Sequence, residues 1–200
     1  MVVIAWWCLA LTTATAGHQR ITLATCITLA RGWLAVLFAG VLTAAILVAS
    51  DQRQLYWLAA GIFLVSAVLD VVDGAVARRL HSKTEFGDRF DTEMDGLLVG
   101  IGTVGVVIDG TVPSAFLAVG GARYCFVAAG YLRRRRGLSC ADLNPRFRRK
   151  LNGGVVTATV LIAVFPTTSG HVSWWIATIV TPVTVGFFIW DWLAVAGHRD

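Results

Sequence analysis

Residues 70–95 read DVVDGAVARRLHSKTEFGDRFDTEMD and hold seven of the chain's twelve acidic residues. Asp70 and Asp73 are three apart, and Asp91 and Asp95 are four apart, so each pair falls on one face of a helix. The flanking runs are apolar: LAAGIFLVSAVL precedes the stretch, and GLLVGIGTVGVVI follows from Gly96. Carboxylates are costly at membrane depth unless a cation neutralises them. Paired carboxylates on apolar helices therefore point to a metal site at a membrane surface.

The composition agrees with a membrane setting. Of 200 residues, 56% are hydrophobic and 14% charged, with a mean hydropathy of +0.71. A soluble domain carries roughly 25% charged residues, so an ordinary water-facing surface is excluded. The net charge of +5 comes from arginines clustered in short segments, the pattern of a membrane protein obeying the positive-inside rule and not of a nucleic-acid partner. Cys8, Cys26, Cys125 and Cys140 have no CxxC spacing, and His18, His81, His171 and His198 are scattered. Neither a disulfide framework nor a structural zinc site is expected.

Outward from the aspartates, the chain divides into an N-terminal apolar and juxtamembrane segment, 1–26, and a transmembrane domain, 27–196. Residues 1–16 are apolar but short of the roughly 20 needed to span a bilayer. Ala14-Thr15-Ala16 resembles a signal-peptidase site without a basic region before it, so this segment is expected to lie in the interface. Six spans follow, at about 27–49, 55–77, 91–110, 113–132, 151–165 and 174–196, with a polar turn at Asp51-Gln52-Arg53-Gln54. The expected fold class is an all-α integral membrane protein of six transmembrane helices. Trp174, Trp175, Trp190 and Trp192 fall near the two ends of the last span, where aromatic belts belong. With both ends of the six-span core cytoplasmic, the inner segments hold fifteen Lys and Arg residues and the outer loops only Arg53. That bias places the aspartates at the cytoplasmic face of a multi-pass cell-membrane protein.

Asp70, Asp73, Gly74, Ala77 and Arg78 share one helical stripe, at offsets 0, 3, 4, 7 and 8. A loop that reverses the chain would bring Asp91 and Asp95 within reach of Asp70 and Asp73. Four carboxylates without thiolates make an all-oxygen site suited to Mg2+ or Mn2+, and two ions about 3.5–4 Å apart could clamp a phosphoryl group. Gly74, Ala77 and Gly87 leave room for an anionic ligand. Arg78 offers a planar fork to phosphate oxygens, and Ser82 and Thr84 offer hydroxyls. Asp88, Glu85 and Glu93 read as solvated or off-face charges.

The spacing Asp70-x2-Asp73-Gly74-x2-Ala77-Arg78-x8-Gly87-x3-Asp91-x3-Asp95 resembles the signature of the CDP-alcohol phosphotransferases at all eight specified positions. Thr28-Leu29-Ala30-Arg31 is similar to the Thr-x-x-Arg opening of that family's first span. The resemblance implies a metal-dependent phosphatidyltransferase of phospholipid biosynthesis, usually a homodimer. It would transfer a phosphatidyl-type group from a CDP-linked lipid such as CDP-diacylglycerol to an alcohol and release CMP. It also implies that Asp70, Asp73, Asp91 and Asp95 hold two divalent ions and that Asp95 is the general base. Gly74, Ala77, Arg78, Thr84 and Gly87 would bind the CDP-lipid. A rival from another class is a divalent-cation transporter, since carboxylates within membranes often mark ion pathways.

The acceptor side is sketched by basic residues. Arg123 lies in the middle of the fourth span and must find an anion or a water-filled cavity, whether an acceptor phosphate or an aspartate of the cluster. The loop 133–150 carries eight basic residues suited to anionic headgroups. Lys150 lies in a stretch similar to one in phosphatidylglycerophosphate and cardiolipin synthases. Arg123, Lys150 and Arg31 are the candidate acceptor ligands. Glycerol 3-phosphate is the first choice of acceptor, with phosphatidylglycerol or an inositol phosphate as alternatives.

Overall fold

The computed structural model describes residues 23–48, 52–79, 85–136 and 147–196; within these, the side chains of 23–29, 73–79, 85–93, 134, 147–150 and 194–196 fall outside the description. The expected interfacial segment 1–16 and Thr84 also lie outside the described residues. Those that are described form six α-helices: α1 Leu23–Leu47, α2 Gln52–Arg79, α3 Glu85–Ile108, α4 Leu117–Arg135, α5 Phe147–Val164 and α6 Gly170–Ala196. A 3-10 turn, Ser114–Phe116, leads into α4. Among the described residues there is no strand, as expected of an all-α protein.

Among the described residues, four segments are long and apolar enough to cross a membrane: Ala30–Leu47, Gln52–Val72, Ser114–Arg133 and Gly170–Leu193. Met94–Ile108 in α3 and Leu151–Val164 in α5 are shorter apolar stretches. Both helices extend beyond these stretches, starting at Glu85 and Phe147. Of the polar turn expected at residues 51–54, Asp51 lies outside the described residues and the other three are helical. Gln52, Arg53 and Gln54 are exposed and already form the first turn of α2. The N–H groups of a first turn have no helical acceptors, and exposure leaves them open to solvent.

Contacts between helices give an up-and-down bundle. On α1 and α2, Arg31 pairs with Asp70 and Phe38 with Phe63, the rings 5.1 Å apart. The contacts move seven residues forward on one helix and seven back on the other, so the two are antiparallel. A Cβ on Gly102 of α3 would meet Phe38 of α1, Phe63 of α2 and Val160 of α5. Leu42 of α1 packs onto Gly105. Alongside α4 the seam pairs Thr103 with Gly120 and Gly100 with Tyr124, again antiparallel. Helix α3 is thus the central helix, and its glycines let α1, α4 and α5 approach closely.

The outer surface is apolar as well: Trp33, Trp175 and Trp190 are more than 60% exposed. Side chains of this kind on the outside of a bundle are expected where lipid, not water, is the solvent. Helix α3 ends at Ile108, close to the expected stop at Asp109-Gly110. Gly110 takes a left-handed φ of 77°, its N–H donates to the Val107 carbonyl, and the Thr111 hydroxyl donates to that of Val106 at 3.0 Å. These bonds satisfy two of the carbonyls of the last turn. At this end the Tyr56 hydroxyl donates to Asp109, tying the start of α2 to the end of α3.

Candidate functional site

The opposite end of α2 and α3 carries the aspartates. Asp70 lies fourteen residues after Tyr56, and Asp95 lies fourteen before Asp109. The two ties between these helices are therefore about 21 Å apart along each. The agent at the aspartate end is Arg31 of α1. Its Nη1 lies 3.0 Å from Asp70 Oδ1, and its Nη2 donates to Asp95 Oδ1. One guanidinium thus joins carboxylates from two other helices.

Burial explains why this contact matters. Arg31 is 2% exposed, whereas the Asp70 and Asp95 side chains are 37% and 45% exposed. A guanidinium that far from water needs carboxylate partners to offset lost hydration. The carboxylates, by contrast, keep part of their surface open. Gly32, next to Arg31, lets α1 come close to α3, where a Cβ would stand 3.4 Å from the Met94 sulfur. Met94 is buried and precedes Asp95, so close packing on one residue positions the next.

The remaining sequence candidates are only partly placed. Asp73, Gly74, Ala77 and Arg78 lie on the last two turns of α2, and Gly87 and Asp91 lie on α3 before Asp95. Lys150 lies in the first turn of α5. The surroundings of these side chains are outside the described residues. Arg123, half-buried on α4, crosses α3 at Gly96, beside Asp95. Sequence reasoning missed Arg31 as the link between the aspartate pairs, although an arginine early in an apolar span signals a need for anions. It also missed Gly96.

The donor chemistry fits a hard divalent cation: two half-exposed carboxylates from different helices face one locus, and carboxylate oxygen is the ligand such ions prefer. Among the described residues no group of three His, Cys, Asp or Glu side chains forms. Asp73 and Asp91 would have to supply the further ligands.

The family model described as CDP-alcohol phosphatidyltransferase matches residues 21–190. No curated protein matches the chain at a significant level.

Proposed function

The chain belongs to the CDP-alcohol phosphatidyltransferase family, and from that premise we propose that it transfers a phosphatidyl group from CDP-diacylglycerol to glycerol 3-phosphate, releasing CMP. The observation that carries this reading is the Arg31 link between Asp70 and Asp95. It draws the two halves of the aspartate signature to one place and leaves both carboxylates accessible.

In this reading Asp70, Asp73, Asp91 and Asp95 hold two Mg2+ or Mn2+ ions, and Gly74, Ala77, Arg78, Thr84 and Gly87 bind the CDP-lipid. Bound divalent ions supply positive charge against the diphosphate. Asp95 takes the proton of the acceptor hydroxyl on its carboxylate. The acceptor oxygen then bonds to the lipid-side phosphorus as the bond to the CMP oxygen breaks. Arg31 keeps Asp70 and Asp95 at a fixed separation throughout. Arg123, and Lys150 at the mouth of α5, receive the phosphate of the acceptor, where a guanidinium fork suits phosphate oxygens.

The fifteen-to-one distribution of basic residues supports six crossings with the aspartates facing the cytoplasm. Helices α3 and α5 would cross as the interior pair. The contacts made by Gly102 and Gly105 replace much of the lipid contact that otherwise demands a long apolar run. The test is direct: incubate purified protein with labelled CDP-diacylglycerol, Mg2+ and a panel of alcohols, then identify the lipid product. Phosphatidylglycerophosphate is expected. Phosphatidylinositol phosphate or cardiolipin would reassign the acceptor, and no lipid product with any alcohol would overturn the reading.

A further inference from the structure

The Arg123 side chain of α4 lies across the backbone of α3 at Gly96, the residue that follows Asp95. A Cβ added to Gly96 would stand 2.8 Å from Arg123 Nε, 2.9 Å from Cδ and 3.1 Å from Cζ. Carbon does not approach three consecutive side-chain atoms that closely, so any other residue at position 96 would displace the guanidinium. The rest of the α3–α4 seam is looser or formed differently. At Gly100 the nearest atom to an added Cβ is Tyr124 Cε2 at 3.8 Å, and at Gly120 the neighbour is the Thr103 side chain. The crowding at Gly96 therefore involves the far end of one long side chain and not the helix backbones. Gly96 follows Asp95 and lies about 100° round the axis from it.

We propose that Gly96 is a positioning residue that seats the Arg123 guanidinium beside Asp95, and that this seat selects an acceptor carrying an anionic group near its attacking hydroxyl. The inference rests on the reading of Arg123 as an acceptor ligand and adds the residue that sets its place. An arginine at membrane depth is held where anions or water can reach it. A guanidinium fixed against a helix also loses little side-chain freedom when it grips a phosphate. Lifted off α3 by an added methyl, Arg123 would still be charged but no longer aimed at the space beside Asp95.

The test is a kinetic double-mutant cycle with glycerol 3-phosphate and CDP-diacylglycerol, using Gly96→Ala, Arg123→Ala and the double variant, with Gly100→Ala as a control for crowding on the same seam. Because the displaced atoms end a flexible side chain, Gly96→Ala should fold, with an unfolding temperature close to wild type. Its KM for glycerol 3-phosphate should rise about tenfold, with KM for CDP-diacylglycerol unchanged. In the Arg123→Ala background the same substitution should add no further rise, since coupled residues are non-additive. Gly100→Ala should leave both constants unchanged. An equal effect of Gly96→Ala in both backgrounds, an unchanged acceptor KM, or loss of folded protein overturns the proposal. If Arg123→Ala itself leaves the acceptor KM unaltered, the underlying reading of Arg123 fails too. A raised KM there with none in Gly96→Ala sinks the role of Gly96 alone.

Discussion

Arg31 and Asp95 are joined side chain to side chain across sixty-four residues of sequence. The same guanidinium holds Asp70, so the geometry of the aspartates depends on a residue outside their signature. Arg31→Lys should therefore be severe despite keeping the charge. A lysine ammonium is a point charge without the planar pair of nitrogens that serves two carboxylates at once. Turnover should fall at least a hundredfold. Stability should drop by about 2 kcal/mol, as for one lost hydrogen bond to a charged group, because the charge is kept and both carboxylates remain partly hydrated. CMP release and thermal unfolding in detergent measure the two effects.

The two aspartates that Arg31 touches should fail differently. Asp95→Asn removes the group that receives the acceptor proton while keeping a side chain of the same shape, so turnover should vanish with CDP-diacylglycerol binding largely intact. Asp70→Asn should instead raise the Mg2+ concentration required for half-maximal rate. Titrating Mg2+ against initial rate, alongside equilibrium binding of the CDP-lipid, separates the variants. Near-normal turnover in Asp95→Asn would remove it from the base role.

Tyr56→Phe probes the far end of the same two helices. It deletes the hydroxyl that donates to Asp109 and should cost about 2 kcal/mol, as for a hydrogen bond to a charged acceptor. For a protein of this size that is a fall of about 5 °C in Tm. The site lies about 21 Å away along the helices, so kcat per folded molecule should stay at the wild-type value.

Packing at the centre of α3 gives a test of a different kind. A Cβ on Gly102 would collide with the Val160 side chain, so Gly102→Ala should destabilise by about 1–3 kcal/mol through overpacking. Adding Val160→Ala should recover part of that loss. Thermal unfolding of both single variants and the double variant measures the coupling.

Much of this was legible in the chain because membranes impose simple constraints. Apolar runs announced the helices, Asp109-Gly110 announced the end of α3, and the Asp70–Asp95 spacing announced the family. What was hidden depends on packing between distant segments. No local pattern says that Arg31 will face α2 and α3 at once, since that depends on how α1 lies between them. Gly96 reads as one glycine among several on α3, and only the path of Arg123 gives it a distinct place. Helix ends are less legible, because Gln52, Arg53 and Gln54 suit a turn and an exposed first turn of a helix equally well.

The central claim is that the aspartates gathered by Arg31 drive release of CMP. The most direct measurement is CMP production by purified protein given CDP-diacylglycerol, glycerol 3-phosphate and Mg2+, with and without EDTA, for wild type and Asp95→Asn. Wild type should release CMP in step with lipid product, EDTA should stop the release, Mg2+ should restore it, and Asp95→Asn should release none. CMP release that persists in EDTA or in Asp95→Asn, or no release from the wild-type protein, would contradict the account.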